Sequence, residues 1–163
     1  MTYRIEGLGP ARFAHLAGLS DEVLAAEGVV RVIADKHPGY PCRVTLADAE
    51  AGEALLLLNH VDHDVATPYR NGFAIYVREA ALEAAVHEDE LPPVFRGRPI
   101  SLRGYGADGN LKGALLALPG DVEAKIHELF ARPDVAYIHA HNAAHGCFAA
   151  RIERFEAEAR AAA

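Results

Sequence analysis

The residues best suited to chemistry crowd into one stretch, VAYIHAHNAAHGCFAARIER over 135–154, which holds His139, His141, Asn142, His145, Cys147 and Arg151. Residues i and i+2 of a strand project from one face, so His139 and His141 are expected to stand side by side with Tyr137. Paired imidazoles are a common beginning of a metal site, because imidazole suits zinc, iron, copper and nickel. His139 and His141 are thus the metal candidates, and the implied cofactor is a divalent transition metal. A third ligand has to come from elsewhere. His145, Cys147, Cys42, His60, His63, Asp62 and Asp64 all qualify, and their spacing selects none. The plain alternative is a polar strand whose histidines are satisfied by hydrogen bonds.

A second chemistry is nucleophilic. Cys42 precedes Arg43, and Cys147 follows Gly146, which permits a close backbone approach. A thiol beside an arginine or a histidine gains thiolate character and can attack an electrophile. Cys42, His139 and Cys147 are therefore the catalytic candidates, with a histidine as general base because its pKa lies near neutrality. Against this stands the usual fate of a free cysteine, which is burial as a small hydrophobe.

A third chemistry is anion recognition. Arg43, Arg70, Arg78, Arg103 and Arg151 each fall in or beside an expected strand, and guanidinium groups bind carboxylate or phosphate bidentately. Arg43, Asn142 and Arg151 are the candidates to hold a substrate. The alternative is that each arginine pairs with one of the 23 acids. The segment His60-Val61-Asp62-His63-Asp64 adds two histidines and two acids; if extended, it puts His60, Asp62 and Asp64 on one side. Such a segment can supply metal ligands or a general base, or simply be hydrated.

Strands are the elements expected to position these groups. Alternation or β-branching predicts strands over 2–6, 29–34, 43–46, 54–59, 73–78, 100–105 and 111–118, with 135–154 as a closing hairpin. Asp108-Gly109 is a strong hairpin turn between two of them. Residues 60–70 read as an irregular loop. Helices are expected over 21–26, with Ser20 as N-cap, and over 121–131, where Val122, Ile126, Leu129 and Phe130 form one apolar stripe. A short helix over 80–86 precedes the acidic HEDE run, expected to be solvated. Val94 and Phe95 lie in a proline-rich segment and are expected to plug the core. The pattern lacks regular strand–helix alternation, so the expected fold is α+β: a mainly antiparallel sheet with a few short helices. The expected organisation is a single compact domain over 1–154, followed by a charged, Ala-rich tail over 155–163.

Composition excludes several classes. At 163 residues, of which 51% are hydrophobic, the chain can bury a real core. A net charge of −7 provides no basic footprint for nucleic acid, so no nucleic-acid partner is expected. The longest apolar run, 54–58, is far shorter than the roughly 20 residues a bilayer needs, so no membrane is expected. MTYRIEGLGP does not resemble a secretory signal, and a cytoplasmic location is expected. The two cysteines are then free thiols, and no CxxC exists. Neither a GxGxxG fingerprint, a P-loop nor a G-x-S-x-G elbow occurs.

The blocks PGYPCRVTLADAEAGEALLLLN, PYRNGFAIYVRE, SLRGYGADG and VAYIHAHNAAHGCFAARIER occur in this order. From Tyr3 to about Arg154 the chain resembles the bacterial domain-of-unknown-function 1203 family. That family is uncharacterised, so the resemblance implies neither an activity nor a cofactor. Its members look similar around Pro41-Cys42-Arg43 and around Cys147 with Arg151. Some carry a second cysteine three residues after the first, where this chain has Thr45; a four-thiolate site is thereby excluded.

The resulting expectation is a small-molecule- or metal-binding protein, or an enzyme, whose pocket gathers Cys42, Arg43, His139, His141, Asn142 and Cys147. The alternative is a non-catalytic interaction or structural module whose polar residues tie loops to the sheet. One register decides much of this: His139 and His141 share a face either with Cys147 or with Phe148.

Overall fold

Two apolar faces, one of strand alternation and one of helical period, lay out the architecture. The computed structural model describes residues 2–155. Its elements are β1 (Thr2–Glu6), α1 (Asp21–Ala26), β2 (Val30–Ile33), β3 (Ala54–His63), β4 (Asn71–Arg78), β5 (Val86–Glu88), β6 (Ile100–Tyr105), β7 (Leu111–Ala117), α2 (Val122–Phe130), β8 (Tyr137–Asn142) and β9 (Phe148–Phe155). Six strands form one sheet in the order β5-β1-β9-β8-β6-β7, and three form another, β2-β3-β4. All strand pairs in both sheets are antiparallel. The fold is α+β with mainly antiparallel sheet, as its pattern predicts.

The stripe on α2 closes one side of the larger sheet. Val122, Ile126, Leu129 and Phe130 are buried against Leu102, Ile138, Ala140 and Ile152. Each such side chain contributes about 1.5–3 kcal/mol by leaving water. Val94 and Phe95 are buried in the same core, as expected. Ile138 and Ala140 face this core, so strand alternation turns Tyr137, His139 and His141 to the opposite face. That face meets the smaller sheet: the His63 and Tyr105 rings lie 4.0 Å apart and those of Phe73 and His141 5.1 Å apart. A second core gathers Leu56, Leu58, Ile75 and Val77 from β3 and β4 with Leu24 of α1 and Phe148 of β9. Ser20 caps α1 as expected, accepting the Val23 amide at 3.4 Å.

Four local expectations are corrected. The predicted strand over 43–46 is a turn: the Cys42 sulfur accepts the amides of Val44 and Thr45, which curls the backbone, and Leu46 adopts φ of +49°. The predicted loop over 60–70 begins as strand, because β3 continues to His63. Its register against β4 shifts between His60 and His63, a bulge that loop-like polar residues concealed. The predicted helix over 80–86 does not form. Ala85 donates its amide to Val44 and accepts that of Gly7, which holds the chain extended into β5. His87 and Glu88 of the acidic run lie in β5, and its acids Glu88, Asp89 and Glu90 are exposed, as expected. The tail expected from 155 begins at the last residue of β9; 156–163 lie outside the described residues.

Candidate functional site

The last hairpin carries the site, and a bulge sets its register. Ala140 pairs with Ala150 but His141 pairs with Phe148, so Ala149 is the extra residue. His139 and His141 therefore share a face with Phe148, whose ring lies 5.2 Å and 5.8 Å from theirs. An apolar neighbour alone would favour plain packing. The smaller sheet supplies what the hairpin lacks: the β3 bulge delivers Asp62 to both histidines. Its Oδ2 lies 3.3 Å from His139 Nδ1 and 4.0 Å from His141 Nε2. The side chains of all three are at most 1% exposed. Gly72 makes the bulge possible, since a Cβ there would sit 2.9 Å from the His60 carbonyl oxygen.

One ligand atom from each of Asp62, His139 and His141 lies within 4.8 Å of the other two. Asp62 Oδ1, His139 Nε2 and His141 Nε2 are buried without a hydrogen-bond partner among the described residues. Buried polar atoms are rarely left so. The His141 tautomer is set by Gly146, whose carbonyl oxygen lies 3.0 Å from Nδ1. An Nδ1–H donated there leaves the Nε2 lone pair directed into the cluster. Gly146 reaches this position at φ of +75°, which favours glycine. Burial pushes both histidines below their ordinary pKa, His141 to about 4, so both are neutral at pH 7. The ring of His63 packs 5.1 Å from that of His139. Its own nitrogens are satisfied by the Tyr69 carbonyl and the Tyr137 hydroxyl, each at 2.9 Å. His63 is thus part of the wall rather than a free ligand.

Cys147, Asn142 and Arg43 meet elsewhere. The Cys147 sulfur accepts from Arg43 Nη2 at 3.1 Å and from Asn142 Nδ2 at 3.3 Å. Arg43 also donates from Nε to the Phe148 carbonyl at 2.6 Å and from Nη1 to that of Pro41. The guanidinium is buried, and no carboxylate lies within ion-pair distance among the described residues. Burial lowers its pKa, and the adjoining thiols oppose that shift. These residues line a cavity of about 560 Å³ together with Leu57, Phe73 and Arg98. Phe148 separates the two regions, its carbonyl on Arg43 and its ring against the histidines.

The expected single pocket is therefore divided between two places. Cys42 joins neither as an exposed thiol. It is fully buried, and its sulfur accepts the amides of Val44, Thr45 and Arg78. Arg151 lies apart, its guanidinium 4.0 Å over the Tyr137 ring and 2.7 Å from Glu153. Arg70 pairs with Asp64, and Arg78 with Glu53. Arg103 lies 5.8 Å from the Phe73 ring, so the five strand-associated arginines are spread over several partners rather than gathered at one anion site. Sequence reasoning named Asp62 only as one of seven possible third ligands, and it missed the enclosing rings of Phe73, Tyr105 and Phe148. The bulge was the missing signal, and nothing local marks it except Gly72.

No helix among the described residues is long and apolar enough to cross a membrane. No curated protein and no solved structure matches the chain. A family model described as "Protein of unknown function (DUF1203)" matches residues 39–154, which include Arg43, Asp62, both cluster histidines and Cys147, and the chain belongs to that family.

Proposed function

We propose that this is a metal-binding protein whose centre consists of Asp62, His139 and His141, and that the ion is a divalent transition metal. One observation carries the reading: one ligand-type atom from each of three buried side chains comes within 4.8 Å of the others, and each of these side chains also keeps a buried polar atom with no partner among the described residues. The donor set, two neutral imidazoles and a carboxylate, suits zinc or iron(II). Zinc ligands at about 2.0–2.2 Å stand roughly 3.3 Å apart in a tetrahedron. The observed 3.3 Å and 4.0 Å need only a small inward movement. Metal binding requires deprotonated ligands, and burial already keeps both imidazoles neutral.

The ion would join the two sheets, because Asp62 comes from β3 and the histidines from β8. The cluster is shut from solvent by aromatic rings, so we assign it binding and cross-linking rather than turnover. Elemental analysis of untagged protein is expected to give near-stoichiometric metal, and Asp62→Asn and His139→Ala are expected to lose it. At a free metal concentration of 1,000 times Kd the gain in stability is about 4 kcal/mol, read as a rise in melting temperature that a chelator reverses. Protein that takes up neither zinc nor iron(II) and melts identically with chelator would sink the reading. The cluster would then be a metal-free polar knot.

A further inference from the structure

The cavity beside Cys147 is short of one negative charge. Arg43 and Arg98 both line it, together with His145, and no acid among the described residues does. Arg98 is committed: its two terminal Nη–H groups reach both oxygens of Asp48, at 2.8 Å and 2.7 Å. Arg43 has no acid within ion-pair distance among the described residues. A buried guanidinium without a counter-charge is costly, and folding tolerates it where something else supplies the charge. Its donors point the same way. Of the five N–H groups of a guanidinium, Arg43 uses Nε–H and one on each terminal nitrogen. One N–H on Nη1 and one on Nη2 are left over, two donors that the two oxygens of a carboxylate can accept from.

We propose that this cavity binds a small carboxylic acid, with its carboxylate on the unused N–H groups of Arg43 and its apolar part against Leu57, Phe73 and Pro99. A single unmatched positive charge fits a monoanion. A phosphate dianion would bring a second charge that Arg98, already paired with Asp48, does not match. The cavity volume of about 560 Å³ lies in the range of small-ligand sites. Arg43 and Asn142 both donate to the Cys147 sulfur, so a ligand carboxylate held by Arg43 lies close to that thiol.

Cys147 therefore serves as the reporter, and Cys42, fully buried, as the control within the same chain. Iodoacetate and iodoacetamide alkylate a thiol by the same displacement. The sulfur–carbon bond forms, the carbon–iodine bond breaks with its electron pair leaving on iodide, and the thiol proton passes to solvent. Only the first reagent carries a carboxylate. The iodoacetate-to-iodoacetamide rate ratio at Cys147, followed by peptide mass spectrometry with chelator present, is expected to exceed that of free cysteine by about tenfold. Propionate is expected to protect Cys147 from iodoacetamide saturably, while chloride at equal ionic strength does not. Arg43→Met is expected to return the ratio to that of free cysteine, and Asp62→Asn to leave it unchanged, which separates this site from the metal centre. A free-cysteine ratio in the wild-type protein, or no protection by propionate, overturns the proposal. Both of these arms use the wild-type chain, so they decide the matter even if Arg43→Met does not fold.

Discussion

Two polar regions lie on either side of Phe148, and they differ in which valences they leave open. At the Asp62–His139–His141 cluster the unfilled atoms are a carboxylate oxygen and two imidazole nitrogens. At the Cys147 cavity the unfilled groups are N–H donors on a guanidinium with no acid beside it among the described residues. The first region is complementary to a cation and the second to an anion, although both arise from the same hairpin. Residue type alone does not separate them, since histidine, cysteine and arginine occur within seven residues of one another in the chain. The separation comes from strand alternation and a bulge, which turn His139 and His141 toward β3 and leave Asn142 and Cys147 with Arg43.

The largest effect that sharpens this contrast is acid sensitivity of the metal-free cluster. Burial holds His141 at about 4, against an ordinary value of 6.5, and lowers His139 in the same direction. Below 6.5 the unfolded chain takes up a proton that the folded chain refuses until about 4. The unfolded state binds more protons in that window, so stability falls as pH falls through it, and above it the contribution is constant. His141 alone accounts for roughly 3 kcal/mol over the window. Urea titrations of chelator-treated protein at pH 7 and pH 4.5 are expected to show the loss, and His141→Gln to reduce it. An unchanged slope in the variant would mean that another group carries the acid loss.

Arg43 gives the next effect, and it should not depend on pH in the same window. Arg43→Met strips donors from the Phe148 and Pro41 carbonyls while relieving a buried charge. The net loss is about 2 kcal/mol, read from the urea midpoint. A variant as stable as wild type would mean that the desolvation of the guanidinium outweighs its hydrogen bonds, which would strengthen the case for a missing anion. The smallest effect belongs to Arg151. Its side chain is 44% exposed, and it makes a ring contact and a surface ion pair. Arg151→Ala is expected to cost less than about 1 kcal/mol and to alter neither metal content nor Cys147 reactivity. A loss of metal in this variant would tie Arg151 to the cluster and break the division between the two regions.

Much of the fold was legible because it rests on local period. The stripe on α2, the Ser20 cap, the Asp108-Gly109 hairpin and most strands follow from spacing that one segment carries by itself. Failures occurred where a specific hydrogen bond or strand pairing overrode local propensity. Arg43 to Leu46 looks β-branched enough for a strand, yet the Cys42 sulfur gathers its amides into a turn. Ala80 to Ala85 looks helical, yet amide bonds to Gly7 and Val44 stretch its end toward β5. His60 to Asp64 looks like a hydrated loop, yet β4 pairs with it across a bulge.

The sequence by itself determined the α+β class and the hairpin, as well as the candidates His139, His141, Arg43, Asn142 and Cys147. These depend on residue type and on periods of two or 3.6 within a single segment. Tertiary structure alone decided which of them meet. Asp62 lies 77 residues from His139, and Arg43 lies 104 from Cys147. Pairings over such separations depend on how two sheets stack and where two bulges fall, and a one-residue change in either register would turn these side chains to the other face.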